Sequence, residues 1–314
     1  MRERSTSEPS STDRFVDEYG DRGPYRIRPS ESDPSVLLVE RRPAPPPVAS
    51  YRWRLPLTLF LLTVITTSWV GGFVYSAAVL FVLLCHEMGH FVQARRYGVA
   101  TSLPFFIPMP LPPLGTMGAV IAMRPNSVGA RGLFDIAITG PLAGLVPALA
   151  CVLVGLPLSE NVPVQHTDSY LEIGEPLLFR FLASWIVDVP ADHTLLLHPL
   201  AFAGWVGFLV TALNLLPVSQ LDGGHILYAL TPRHAHRIST VIFLAAGAAI
   251  LVLGLWHWSL LYFLILIFGV RHPPLGVYGE RLGPFRRLLG WATLAFLFVG
   301  FTPIPLSLPD LPAP

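Results

Sequence analysis

The sequence predicts an all-α polytopic membrane protein with about six to seven transmembrane helices, of which the one at 258–270 is short for a hydrocarbon core of ~30 Å. Hydrophobic residues make up 52% of the 314 residues and charged residues only 13%, whereas about a quarter of the residues in a soluble domain are charged. The mean hydropathy is +0.56, and the apolar residues form runs of about 20, the length of one bilayer crossing. The apolar composition predicts the lipid bilayer as a partner, and the formal net charge of +1 gives no argument for nucleic acid as one.

The first 50 residues differ in composition from the rest of the chain. They are rich in Pro, Ser, Arg, Asp and Glu and contain hardly any apolar cluster, so they cannot bury enough surface to offset the entropy of ordering. We therefore expect a disordered cytoplasmic tail at 1–50, a membrane domain at 51–305 and a C-terminal tail at 306–314. The first two spans are predicted at 56–74 and 76–96.

Residues 101–126 contain five prolines between Pro104 and Pro113. Proline lacks an amide donor and clashes with the preceding helical turn, so this segment cannot form a spanning helix. Its second half, 118–123, is typical of a strand. Irregular backbone is tolerated at membrane depth only where it is buried in protein or faces water. We expect a short re-entrant or β-hairpin segment beside the polar site described below, with a plain surface loop as the alternative.

A third span is predicted at 133–156, where Gly140 and Gly144 form a small face that favours close helix packing. The following segment, 157–198, carries six acidic residues against a single basic one, Arg180, and is predicted to be an extracytoplasmic loop. Within it, apolar residues recur with the spacing of an amphipathic helix lying in the membrane interface. These residues are Leu177, Leu178, Phe181, Leu182, Trp185 and Ile186. The remaining spans are predicted at 199–218, 238–256, 258–270 and 288–305.

The span at 76–96 contains the motif HEMGH, with His86, Glu87 and His90. A spacing of four residues puts both imidazoles on one helix face, where they can ligate zinc while the glutamate acts as a base. Titratable groups at this depth are costly in hydrocarbon and by default indicate a functional site. The alternatives are a chance match, or histidines that are satisfied by backbone partners inside a helix bundle. The adjacent Cys85 points about 100° away along the helix, and we interpret it as a packing residue.

The arginine distribution predicts the topology independently. If the amino terminus is cytoplasmic and the spans alternate, the basic loops lie inside and the acidic loop lies outside, as the positive-inside rule requires. The inner arginines are Arg95, Arg96, Arg124, Arg131, Arg233, Arg237, Arg271, Arg281, Arg286 and Arg287. This topology brings the HEMGH motif and Asp222 to a common depth. From compactness and arginine usage we expect a bacterial inner membrane.

Zinc in a hydrolase has three protein ligands and one position for water. Asp222 is the best third ligand by sequence, because Pro217 interrupts the preceding helix and Gly223 and Gly224 loosen the backbone after it. His225 is the rival ligand.

The chain resembles the site-2 protease family of intramembrane zinc metalloproteases, in a compact form without a PDZ domain. The resemblance covers about 56–230 and is carried by HEMGH at 86–90, GPLAG at 140–144, and NLLP at 214–217 leading into LDG at 221–223. Some members have proline where this chain has Gln220, a position that metal ligation does not require.

The resemblance implies a zinc ion held by His86, His90 and Asp222, with Glu87 as the general base. It gives Asn214 a role in positioning the substrate or stabilising the oxyanion. The implied activity is that of an endopeptidase that hydrolyses a peptide bond in or near a transmembrane segment of a membrane-tethered substrate. An unwound substrate strand is expected to pair with residues 118–121.

Two other functions use the same residues. A zinc transporter or metal-sensing membrane protein needs polar groups along a path through the bilayer, whereas most predicted spans here contain no titratable residue. A catalytically inactive scaffold is disfavoured because all four expected residues are present.

Overall fold

The computed structural model describes residues 25–29, 37–41, 53–110, 112–123, 128–163, 172–270 and 282–307, and these are mostly helical. The helices are α1 (Arg54–Arg96), α2 (Ala130–Gly155), α3 (Leu177–Ile186), α4 (Pro199–Asn214), α5 (Asp222–Leu230), α6 (Ala235–Val252), α7 (Ser259–Phe268) and α8 (Pro284–Gly300), with 3₁₀ turns at Leu156–Leu158 and Trp256–Trp258. The strands are β1 (Tyr25–Pro29), β2 (Leu37–Arg41), β3 (Phe105–Pro108), β4 (Thr116–Val120), β5 (Glu160–Pro163), β6 (Glu172–Ile173), β7 (His193–Leu196) and β8 (Leu306–Ser307).

Helix α1 folds back on itself at Gly72, whose φ of 77° lies in the region that glycine adopts without strain. The Ser76 hydroxyl donates to the Val64 carbonyl at 3.4 Å and lies 2.7 Å from the Thr67 hydroxyl. In a straight helix, residues twelve apart are separated by about 18 Å. Helix α1 therefore has two arms, at 54–71 and 73–96, which correspond to the first two predicted spans.

Among the described residues, three helices are long and apolar enough to cross a membrane, at Arg54–Arg96, Ala130–Leu158 and Ala235–Val252. Shorter apolar helices lie at Leu177–Ile186, Pro199–Asn214 and Trp256–Ile267. The class of membrane protein agrees with the prediction, but the count of six to seven spans is not confirmed by helix length. The fourth predicted span is the main difference, since α4 ends at Asn214 rather than at 218.

Helix α2 lies between α1 and α4, and small residues allow these helices to approach closely. A methyl group added to Gly204 would approach the Ala148 carbonyl to 2.6 Å, and one added to Gly207 would approach the Ala148 methyl to 2.7 Å. Small residues at such crossings let helix backbones touch inside a membrane. The second arm of α1 approaches α2 as closely, since a methyl group on Gly89 would collide with the Thr139 carbonyl, and the site lies at this crossing.

The proline-rich segment forms an antiparallel hairpin of β3 and β4, with Phe105 opposite Val120 and Phe106 opposite Ala119. Its turn is docked in the bend of α1. The Thr66 hydroxyl donates to the Gly115 carbonyl at 2.7 Å, and the Tyr75 hydroxyl donates to the Leu114 carbonyl at 2.7 Å. The described residues of this segment therefore form the expected hairpin rather than a plain surface loop. Residues 111 and 124–127, among them Arg124, lie outside the described residues.

The acidic segment contains the predicted helix as α3, with Phe179 buried and Trp185 82% exposed. Around it, β5 pairs with β7 and β6 pairs with β8, so Glu172 lies opposite Ser307. Asp168 lies outside the described residues. The first two residues of the predicted C-terminal tail thus join the acidic segment in a two-stranded sheet.

The amino-terminal tail differs from the expectation of disorder where the structure describes it. Strands β1 and β2 pair antiparallel, with Ile27 opposite Val39. Their Tyr, Ile, Leu and Val residues are types enriched in strands, and such local preference can outweigh a polar composition. The rest of the predicted tail lies outside the described residues.

Candidate metal centre and active site

Three side chains from two distant segments converge at one point. His86 and His90 lie one turn apart on the second arm of α1 and are both buried, and Asp222 is the first residue of α5. The Nε2 atoms of His86 and His90 lie 3.1 and 3.2 Å from Asp222 Oδ2. The three potential ligand atoms lie within 4.8 Å of one another, and no other such group occurs in the part of the chain that the structure describes.

The His90 ring is held in the orientation that a metal ligand requires. Its Nδ1–H donates to the Ile136 carbonyl at 2.8 Å. A proton on Nδ1 leaves Nε2 with a free lone pair, and a backbone carbonyl is a usual partner for the other nitrogen of a ligating histidine. Two imidazole nitrogens, a carboxylate oxygen and this fixed tautomer fit the donor set of a zinc site with three protein ligands.

Glycines in α2 make room for both imidazole rings. A methyl group at Gly140 would collide with the His90 ring, and one at Gly144 would lie 3.0 Å from His86 Cβ and 3.2 Å from its Nδ1. The sequence predicted these glycines as general helix packing, which is true but incomplete. The four-residue spacing of the glycines equals that of the histidines, and this match in two neighbouring helices was the available signal.

Asp222 is positioned by a tight connection between α4 and α5. Gly223 and Gly224 permit this, because a methyl group on them would collide with the carbonyls of Leu215 and Ser219 respectively. Within this connection, Ser219 has a φ of 59°, in the left-handed region that tight turns use. The two glycines thus serve close backbone approach rather than flexibility, and the approach aims the first side chain of α5 at the histidines.

The remaining predicted residues line the same cavity. Glu87 is 5% exposed, and the Asn214 amide nitrogen lies 3.3 Å from His86 Nε2. His225 lies in the cavity wall but outside the group of convergent ligand atoms.

The end of the hairpin closes one side of the cavity through Ala119, Val120 and Ile121. Cys85 is a free, partly buried cysteine outside the ligand group.

The choice between Asp222 and His225 as third ligand is testable by substitution. We expect Asp222→Asn to weaken Zn²⁺ affinity by more than about 100-fold, since even groups behind the ligands contribute about 10–100-fold. His225→Gln should retain affinity within about threefold, because its ring is not among the convergent atoms. Competition with a chromophoric chelator on the purified full chain measures both. Loss of zinc in the His225 variant alone would reverse the assignment.

The fold and the site define a helical membrane protein in which two buried histidines and a half-buried aspartate form a group that could hold a metal ion. Residues 74–254 match the family described as "Peptidase family M50". The chain belongs to this family, and its resemblance to the site-2 proteases is confirmed.

Curated relatives agree with this assignment. The chain is 40% identical over 156 residues to "Probable zinc metalloprotease EGY1, chloroplastic" of Oryza sativa subsp. japonica, covering 48% of this chain and 26% of the relative. It is 37% identical over 152 residues to the Arabidopsis thaliana protein of the same name, covering 46% and 27%. It is 30% identical over 208 residues to "Probable zinc metalloprotease EGY2, chloroplastic" of Arabidopsis thaliana, covering 64% and 36%.

The chain thus spans about a quarter of the length of the first two of these relatives. No solved structure matches it. The relatives named here are chloroplast proteins of plants, so the expected bacterial inner membrane receives no support from them.

Proposed function

We propose that this protein is a zinc-dependent intramembrane endopeptidase that hydrolyses a peptide bond in or near a transmembrane segment of a membrane-tethered substrate. The observation that carries the proposal is the convergence of His86, His90 and Asp222 within 4.8 Å, in a cavity that also contains Glu87. Membership of family M50 and relatives named as probable zinc metalloproteases support it.

His86, His90 and Asp222 would hold the zinc ion. Bound zinc supplies Lewis acidity, which polarises a carbonyl oxygen and activates water at neutral pH. The buried Glu87 carboxylate accepts the proton of the attacking water and returns it to the leaving amine. The position of Glu87 beside His86 on the cavity wall supports this role.

Asn214 would donate a hydrogen bond to the oxyanion of the substrate. Its amide N–H faces His86 Nε2, and that nitrogen cannot both accept a hydrogen bond and ligate a metal. In the loaded enzyme the donor is therefore available to a substrate oxygen. A fixed amide donor aimed at developing charge stabilises the transition state.

We infer that the membrane domain at 51–305 crosses the bilayer about six to seven times, through both arms of α1 and through α2, α4, α6, α7 and α8, of which α7, with ten residues, is the shortest. Contacts between elements that this topology places outside support it. The Trp258 indole N–H donates to the Pro303 carbonyl at 2.7 Å, and β6 pairs with β8. On the inner side, Arg286 contacts Asp135. Helix α3, with the exposed Trp185, would then lie in the outer interface.

The proposal is tested by cleavage of membrane-tethered proteins. Membranes containing the wild-type chain are compared by proteomics with membranes containing the Glu87→Gln variant. A single-pass protein that accumulates uncut only with the variant identifies the substrate class. If no protein changes while purified wild-type chain carries Zn²⁺ across vesicles, the chain is a transporter instead.

Within the described residues β4 pairs only with β3, so its other edge, close to His86 and His90 in the cavity, is open to a substrate strand. We expect Ala119→Pro to lower kcat/KM about tenfold through the loss of a main-chain donor, with zinc content unchanged. Ala119→Ser keeps the amide and the size and is the matched control. Gly118 is a poorer position, because its φ of 97° is closed to proline and the hairpin itself would distort. Normal cleavage by a folded Ala119→Pro variant contradicts strand pairing.

A further inference from the structure

The amino-terminal turns of α2 carry a carboxylate that is bound by two other elements. Asp135 receives a two-pronged interaction from Arg286 at the start of α8, with Nε–Oδ1 of 2.8 Å and Nη2–Oδ2 of 2.9 Å. Its side chain is 14% exposed. The Tyr97 hydroxyl, just beyond the end of α1, donates to the same carboxylate at 2.6 Å. Paired donation from a guanidinium is among the stronger and most directional contacts in proteins.

This carboxylate lies one residue from a contact of the metal centre. The carbonyl that accepts His90 Nδ1–H belongs to Ile136, the neighbour of Asp135. The same turns are tied to the ligand helix by Thr139, whose hydroxyl donates to the Gly89 carbonyl at 3.1 Å. The position of the Ile136 carbonyl therefore depends on how α2 is held relative to both α1 and α8.

We propose that Arg286 is a positioning residue for the metal centre, acting through Asp135 and the Ile136 carbonyl on the ring orientation of His90. The proposal rests on the proposed metal centre. Helix α8 lies outside residues 74–254, the part of the chain that matches the family. The proposal therefore assigns a role to a helix that lies outside the part of the chain matched by the family.

The geometry of the guanidinium matters here as well as its charge. Arginine presents a rigid planar fork that matches a carboxylate, whereas lysine presents a single flexible point charge. Without the guanidinium, the Asp135 carboxylate loses two charge-assisted hydrogen bonds and keeps the one from the Tyr97 hydroxyl, so its contacts shift from α8 towards the end of α1. Asp135 would then move with its helical turn, and the adjacent Ile136 carbonyl would move with it. Metal sites lose performance with ligand displacements of about 0.5 Å.

The test measures metal binding by the full-length purified chain. We expect Arg286→Met to weaken Zn²⁺ affinity about tenfold, the lower end of the about 10–100-fold range for groups behind the ligands. Arg286→Lys should weaken it less, since charge is kept and the fork is lost. The double variant D135N/R286M should recover part of the loss, because no unpaired charge remains. With Co²⁺ in place of zinc, the visible absorption bands of Arg286→Met should shift.

Arg287→Met is the matched control, because the neighbouring Arg287 is exposed and on the same turn of α8. It should leave Zn²⁺ affinity and the Co²⁺ spectrum unchanged. Equal Zn²⁺ affinity of Arg286→Met and wild type, with or without a lower Tm, overturns the positioning role. If Arg286→Met does not fold, Arg286→Lys decides by the same criterion. Wild-type chain that binds zinc but cleaves nothing contradicts the proposed function and leaves this comparison intact.

Discussion

Glu87→Gln is expected to abolish peptide hydrolysis while zinc stays bound. The glutamine amide has nearly the size and shape of the carboxylate, so the cavity wall is preserved, but an amide cannot accept the proton of water. Loss of a positioned general base lowers the rate by about 100- to 10,000-fold. Glu87 is outside the group of convergent ligand atoms, so the metal content should stay at the wild-type level. Cleavage of a membrane-tethered reporter and zinc per purified chain are the two measurements.

Glu175→Gln is the matched control for this substitution. Glu175 is exposed in the segment between β6 and α3, far in sequence from the ligands, and its replacement should change neither measurement. A Glu87→Gln variant that cleaves at more than about a tenth of the wild-type rate contradicts the role of a general base. Loss of zinc from this variant would instead place Glu87 among the groups that hold the metal.

Gly140→Ala is expected to remove zinc binding and hydrolysis together. The added methyl group would collide with the His90 ring. That ring is held between the Ile136 carbonyl and Asp222, so it cannot move away without losing a contact. Overpacking of this kind costs about 1–3 kcal/mol of stability. We expect Zn²⁺ affinity to fall by more than about 100-fold, because the ring that moves belongs to a proposed ligand.

Two glycine variants calibrate this result. Gly144→Ala meets His86 Cβ at 3.0 Å, a tight contact without direct overlap, and should reduce zinc affinity less. Gly283→Ala meets nothing within 4 Å and should behave as wild type. Zinc content is measured on the folded fraction after size-exclusion chromatography, and thermal unfolding reports stability. Full zinc occupancy in folded Gly140→Ala would show that the glycine serves helix packing alone.

The sequence could predict those parts of the site that lie within a few residues of one another. His86 and His90 are four residues apart, and helical geometry alone puts them on one face. The apolar runs likewise predict membrane helices, because length and hydropathy are local properties. The sequence predicts the position of the bend at Gly72 and the end of α4 at Asn214 less accurately, because both depend on which elements pack against these residues.

Tertiary structure decided the remaining features. Asp222 is 132 residues from His90 in sequence, and its convergence with both histidines depends on how α5 is placed against α1. The sequence left His225 as a rival, and the fold brings the Asp222 carboxylate, not the His225 ring, to the ligand group. Gly140 was recognised as a small residue, but its contact with His90 depends on the packing of α2.

By itself, then, the sequence determined the membrane class, the HEMGH motif with its two histidines on one helix face, and the family resemblance. Only the tertiary structure shows that Asp222 converges with the two histidines, that Gly140 and Gly144 make room for their rings, that the hairpin lies beside the cavity, and that Arg286 contacts Asp135. The physical reason is that spacing along a helix follows from backbone geometry. Contacts between elements depend on which apolar faces pack together, and many packings are compatible with the same local pattern.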